Sequence, residues 1–402
     1  MRQVVITGIG VVCATGNTRD QFLASLRAGR SGISRIENID LLDLRFQNGG
    51  EVKGFNAADH VPAKEADMMD RFAQFAVVAA HEAVTQSGVD WTPELKDTTA
   101  IVTGSCVGGQ TAEDQGFHDV YKMGKPRVHP MTIPKTMANA GASSISLQFG
   151  ITGPAFTIAT ACASSAHAIG IAFQMVRGGM CDFAITGGSE APFSYGILKA
   201  WEAMRVVSPS ACRPFSKDRT GMILGEGAAM LTIETLDHAL ARGAKPLAEI
   251  VGFGMSSDAH HITQPSSEGP AKAIRLALKD AGLVPEQIQY VNAHGTGTTV
   301  NDATETRALH LAFGDHARKL AISSTKAMHG HTLGAAGALE CTAALLGMTN
   351  GFVPPTINYN EPDPECDLDY TPGTARTLDY EYAITNSFAF GGLNAVLALR
   401  RI

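Results

Sequence analysis

"TIATACASSA", residues 157–166, carries one cysteine, Cys162, among small residues. A β-type run, 155–159, precedes it, and the mostly apolar stretch 164–173 follows with the character of a helix. The thiol therefore sits where a strand hands over to a buried helix, the join from which α/β folds are built. Two readings are open there. A free cysteine is among the most buried residue types and fills space as a small hydrophobe. A helix N-terminus also favours the thiolate, which would make the residue a nucleophile.

Outward from this join, short β-branched runs alternate with longer Ala-rich stretches. Strands are predicted at 4–6, 99–103, 155–159, 183–186, 228–234, 248–253, 289–293, 320–323, 382–387 and 395–400. Helices are predicted at 20–28, 69–87, 163–177, 236–242, 270–281, 302–313 and 335–350. This alternation predicts an α/β fold with largely buried sheets. The Ala and Gly content of 163–177 and 335–350 predicts helices packed on all sides. A chain of 402 residues exceeds what one core usually holds, so two halves are expected. Residues 1–250 and 251–402 each contain a strand, a turn that starts a helix, and a closing strand pair, which hints at duplication. The Pro- and Asp-rich segment 353–372 reads as an ordered surface loop.

Composition removes several function classes. Hydrophobic residues make up 45% and charged residues 18%, as in a globular, well-buried chain. No apolar run reaches about 18 residues, so no membrane span is expected. MRQVVITGIGVV passes straight into a strand and reads as no signal peptide. The seven cysteines are scattered and form no C-x-x-C pair, which argues against a disulfide framework and a zinc site and fits a reducing cytoplasm. A net charge of −7 argues against nucleic-acid binding. Gly8-x-Gly10 begins like a dinucleotide fingerprint, but the next glycine in that turn is Gly16 and no acid follows at the expected distance.

Three Gly-rich turns carry the polar chemistry. In "VNAHGTGTTVND", 291–302, His294 ends a strand and precedes a helix holding Glu305. In "SSTKAMHGHTLGAAGALE", 323–340, Lys326, His329 and His331 come just before an Ala/Gly-rich helix. His-x-His suggests metal ligands, but no Cys or carboxylate follows at zinc spacing. An imidazole at a helix N-terminus stays neutral, and a neutral Nε2–H can donate to a developing oxyanion. In "TNSFAFGGLNA", 385–395, Phe388 and Phe390 precede two glycines, as in a hinge, a gate or simple core packing. One thiol, two histidines and a lysine in separate strand-end turns suit acyl transfer through a thioester.

With these segments the chain resembles the β-ketoacyl-acyl-carrier-protein synthases, elongating ketosynthases of type II with the thiolase-like fold. The resemblance rests on "VVITGIGVV", "TACASS", "RPFSKDRTGMILGEGAAML", "VGFGMSSDAHH", "VNAHGTGT", "KAMHGHTLGAAGALE", "PPTIN", "DPECDLDY" and "NSFAFGG", which cover nearly the whole chain. It implies a five-layer α-β-α-β-α sandwich of two similar halves, usually a homodimer, acting on acyl carrier protein. It implies Cys162 as the acylated nucleophile and His294 and His331 as the two catalytic histidines. Lys326 matches a supporting lysine and Glu305 an acid that pairs with it. Phe390 matches the gate phenylalanine, whose N–H joins that of Cys162 in an oxyanion hole. Thr296 and Thr298 match threonines that hold the phosphopantetheine arm, and Val107 a position that caps the acyl tunnel. Trp201 and Met204 are further candidates for lining it. The implied reaction is a decarboxylative condensation with a malonyl thioester, without metal or organic cofactor.

The chain also departs from the family pattern. Ala389 and Leu393 replace a glycine and a threonine of the gate turn, and His329 stands where a small residue is commoner. In "AKEADMMDRF", 63–72, Lys64 remains where relatives carry several basic residues, but Asp67 and Met68 stand in later places. Lys122, Lys125, Arg127 and Arg205 offer an alternative basic patch. An unusual carrier partner is therefore expected, in fatty-acid elongation or in a specialised nodulation-type, aryl-polyene or polyketide pathway. A non-catalytic chain-length partner in a ketosynthase heterodimer is the rival from another class. Cys162 with both histidines argues against it.

Overall fold

A computed structural model describes residues 2–41 and 43–402. Ten strands form one continuous ladder. They are β1 (Val4–Cys13), β2 (Ala100–Gly104), β3 (Ala155–Ile158), β4 (Phe183–Glu190), β5 (Gly227–Thr235), β6 (Ala248–Ser257), β7 (Tyr290–Asn292), β8 (Ala321–Ser323), β9 (Tyr382–Ala389) and β10 (Leu393–Arg401). Their order is β8-β7-β9-β10-β6-β1-β5-β4-β2-β3. Counted outward from the β1/β6 junction, each strand of one half corresponds to the strand five later in the other. The directions repeat as well. In each half the two inner pairings are antiparallel and the two outer ones parallel. The halves join where Val4–Ile6 run antiparallel to Ala248–Ile250. A division at 250 therefore falls inside β6, and the chain passes between halves over residues 236–247.

Seven helices supply the layers: α1 (Arg71–Ser87), α2 (Ala140–Phe149), α3 (Ser164–Arg177), α4 (Tyr195–Met204), α5 (Glu268–Ala281), α6 (Thr299–Phe313) and α7 (Ala336–Thr349). Helices α1 and α2 cover the outer face of the first half, and α5 and α6 that of the second. Between the two halves α3 packs against α7. The result is the expected five-layer sandwich. The central helices are packed on nearly all sides, and every residue from Ala336 to Met348 is buried. Small residues permit this. A Cβ at Gly337 would press on Ala166 and Ser387, and one at Gly170 would strike the Phe253 ring.

Each predicted strand is present, but β1 runs on to Cys13. Gly8 and Gly10 look like a turn in the sequence. They are strand residues lying under the carbonyls of Ala83 and Ala79 on α1, where a Cβ would not fit. The helices at 110–121, 140–149 and 195–204 are not predicted from the sequence, because each is short and mixes polar with apolar residues. Among the described residues no helix is long and apolar enough to cross a membrane.

Candidate active site

The strand-to-helix join places Cys162 at the head of α3. The turn is tight. Ala161 adopts φ 49°, a left-handed conformation that a non-glycine residue rarely takes, and Ala163 N–H donates to Thr160 O at 3.1 Å. Such strain concentrates where a side chain must be aimed. The sulfur is buried and accepts the N–H of Phe390. Phe390 sits in the turn between β9 and β10, where Gly391 and Gly392 take φ 82° and 71°. Its ring stacks on Trp201 of α4 with centroids 6.2 Å apart.

His294 follows β7 and is held from behind. Its own N–H and that of Gly295 donate to the Glu305 carboxylate, each at 2.8 Å. Lys326 Nζ lies 3.2 Å from His294 Nδ1 and 2.6 Å from His294 O. An ammonium can only donate, so Nδ1 is the acceptor and the ring proton resides on Nε2. His331 is fixed in the same sense, because Leu333 N–H donates to its Nδ1 at 3.2 Å. The two rings stand edge to face with centroids 5.4 Å apart. Burial and the nearby Lys326 charge hold both imidazoles well below their ordinary range. Two neutral Nε2–H donors thus border one space. Cys162, His294, His331, Thr296, Thr298 and Phe390 line a single cavity of about 270 Å³. In histidine-labelled protein the Cε1–H signals lost in His294→Ala and His331→Ala should keep their neutral positions from pH 8 to pH 5.5. Movement of either signal through about pH 6.5, the free imidazole value, would overturn this protonation.

Two expectations need correction. First, Glu305 does not pair with Lys326. Its oxygens are taken by two backbone N–H groups and by Asn386 Nδ2 at 3.1 Å. The ion partner of Lys326 is Glu340 on α7, and both side chains are fully buried. Second, the sulfur is not held as a thiolate at rest. Burial pushes the Cys162 thiol up to about 11, outweighing Lys326 and the Phe390 N–H. Val107, Trp201 and Met204 do not line this cavity. The Val107 N–H donates instead to Glu190 at 3.3 Å. His329 is held within its own turn. Its Nδ1 contacts Gly330 O at 2.8 Å and its Nε2 contacts Thr325 Oγ1 at 3.0 Å.

Glu340, Glu190 and Asp302 are supporting residues that the sequence did not single out. Asp302 accepts the N–H groups of Phe215 and Gly297 at 2.7 and 3.2 Å, which shapes the threonine turn. A carboxylate inside an otherwise apolar Ala/Gly helix was the available signal for Glu340.

Residues 1–239 match the family description "Beta-ketoacyl synthase, N-terminal domain", and residues 247–360 match "Beta-ketoacyl synthase, C-terminal domain". The chain is 45% identical over 401 residues to nodulation protein E of Rhizobium sp., covering 100% of both chains. It is 43% identical over 409 residues to 3-oxoacyl-[acyl-carrier-protein] synthase 2 of Synechocystis sp., covering 100% of this chain and 98% of the relative. The solved structure described as the ishigamide ketosynthase/chain length factor superposes with a TM-score of 0.95 at 37% identity, covering 100% of this chain and 99% of the other. With a thiol and two neutral imidazoles meeting in one cavity, and with relatives matched end to end, the chain belongs to the β-ketoacyl synthase family.

Proposed function

We propose that the protein is a 3-oxoacyl-[acyl-carrier-protein] synthase, which joins a Cys162-bound acyl group to the two-carbon unit of a malonyl thioester. The observation that carries this reading is the cavity in which one thiol meets two Nε2–H donors. In the first half-reaction the Cys162 sulfur attacks the acyl thioester carbonyl. The N–H groups of Phe390 and Cys162 receive the oxyanion, and each such donor contributes about 3–4 kcal/mol by mutational precedent. The carrier sulfur leaves and takes the thiol proton, so the exchange is proton-neutral. In the second, His294 and His331 donate to the malonyl thioester oxygen. The bond to the carboxylate breaks, CO2 departs, and its electron pair forms the enolate. The enolate carbon attacks the acyl-Cys162 carbonyl, and the C–S bond breaks to release a 3-oxoacyl thioester and the Cys162 thiolate, which takes a proton from water to return to the resting thiol. Thr296 and Thr298, with hydroxyls 2.9 Å apart at the cavity wall, hold the pantetheine arm.

The carrier is an acyl carrier protein, which the name of the Synechocystis relative supports. The 45% identity to a nodulation protein favours a specialised pathway as the second reading. A homodimer is supported by the free edge of the ladder, where β3 leaves Phe156 exposed beside an α2 face carrying the exposed Leu147. A ketosynthase-like partner is the alternative, as in the ishigamide ketosynthase/chain length factor. The seven free cysteines fit a cytoplasmic setting. Incubation with acyl thioesters of several carriers, followed by malonyl carrier, tests the assignment by intact mass and product analysis. The expected results are an adduct on Cys162 and a 3-oxoacyl product two carbons longer. Absence of any adduct across the panel would favour the non-catalytic partner reading.

A further inference from the structure

Glu190 ends β4 in the interior of the first half, fully buried, and the mechanism above gives it no role. Oε2 accepts the N–H of Cys106 at 2.6 Å and of Gly334 at 3.0 Å. Oε1 accepts Ser105 Oγ at 3.1 Å and Val107 N–H at 3.3 Å. Its charge is met by these four dipoles and, among the described residues, by no lysine or arginine ion pair. A buried carboxylate solvated by loop amides fixes those amides, because losing it would leave several buried donors unpaired at once.

One of those loops carries a catalytic histidine. Gly334 lies in the short turn Leu333–Ala335, and Leu333 is held at φ 47°, where a branched side chain is strained. That strained residue is the one whose N–H meets His331 Nδ1 and thereby sets which ring nitrogen bears the proton. Gly334 is glycine because a Cβ would collide with Glu190 Oε2 and Cys106 N. The carboxylate, the Gly334 amide, the Leu333 amide and the His331 ring thus form one connected chain.

We propose that Glu190 is a positioning residue for the malonyl half-reaction, which holds the His331 turn in register. The proposal rests on the condensing function argued above. It requires CO2 release to fall when Glu190 is lost while acylation of Cys162 is kept. A general loosening of the fold would lower both.

Glu190→Met removes the acceptors and the charge at similar length, whereas Glu190→Gln keeps one oxygen able to serve Cys106 and Gly334. Two rates are read on each protein: single-turnover acylation of Cys162 by an acyl carrier thioester, and CO2 release from malonyl carrier by the acylated enzyme. In Glu190→Met, acylation should be unchanged, while CO2 release falls on the order of 10²-fold, as for a displaced catalytic group. Glu190→Gln should restore most of the CO2 release. Gly334→Ala covers the case in which the methionine variant does not fold. Its Cβ displaces the carboxylate contact, so CO2 release should fall with acylation unchanged. Parallel losses in both rates, or CO2 release unchanged in both Glu190→Met and Gly334→Ala, would overturn the proposal. Wild-type protein that no carrier acylates would instead overturn the condensing function itself.

Discussion

Cys162→Ala should form no acyl adduct and should lose condensation by about 10⁴-fold or more, yet it should still release CO2 from the malonyl carrier. The loss is large because the acyl group has no other attachment point in the cavity, and a substitution that removes a covalent intermediate leaves only residual binding and dipole effects. The retained decarboxylation follows from geometry. The two Nε2–H donors are set by Lys326 and by the Leu333 N–H, neither of which depends on the sulfur. The small alanine side chain also leaves room where the thiol stood. Radiolabelled CO2 release and intact mass on the same sample check both halves. Condensation surviving in Cys162→Ala would refute the nucleophile. Loss of CO2 release together with acylation would mean that the sulfur, or its acyl group, is needed to bind the malonyl arm. Trp201 bears on the same point from the other side, since its ring stacks on Phe390 and so holds the N–H that faces the sulfur.

The reading of the sequence succeeded where a residue's role follows from its place in a strand-end turn. The strands are short runs rich in β-branched and apolar residues, and all ten appear at their predicted places, although β3 is half exposed. Cys162, His294 and His331 each end such a turn, and the continuous ladder brings those ends to one cavity. It was less successful where the answer depends on which face a side chain takes. Glu305 and Glu340 both sit on helices near Lys326, and sequence spacing does not say which carboxylate is already engaged by backbone amides. The state of the Cys162 thiol was misjudged for a related reason. A helix N-terminus favours the anion, but full burial opposes it more strongly, and burial is a property of the assembled layers. Likewise the side chain of His329 turns toward Thr325 and its ring lies 6.2 Å from that of Phe22, a contact between residues three hundred positions apart.

Lys326→Ala should be the most damaging substitution that leaves all three reacting side chains in place. Lys326 and Glu340 form an ion pair with no solvent exposure, so removing the ammonium strands a carboxylate in the interior. Breaking such a pair costs about 3–5 kcal/mol, which should appear as a clear fall in melting temperature. Burial already pushes the Glu340 carboxyl up, and only Lys326 pulls it down. Without the lysine, the folded protein holds a proton on Glu340 to higher pH than the unfolded chain does. Stability conferred by that proton is lost as pH rises, so the variant should be weaker at pH 8 than at pH 6 relative to wild type. Removing the stranded acid as well, in Lys326→Ala with Glu340→Ala, should recover much of the melting temperature. It should not recover condensation, because His294 Nδ1 still lacks the donor that keeps the ring proton on Nε2. Thermal unfolding at the two pH values and CO2 release from malonyl carrier together decide the matter. A double variant that regained both stability and CO2 release would reduce Lys326 to a structural counter-ion and leave the protonation of His294 without its cause.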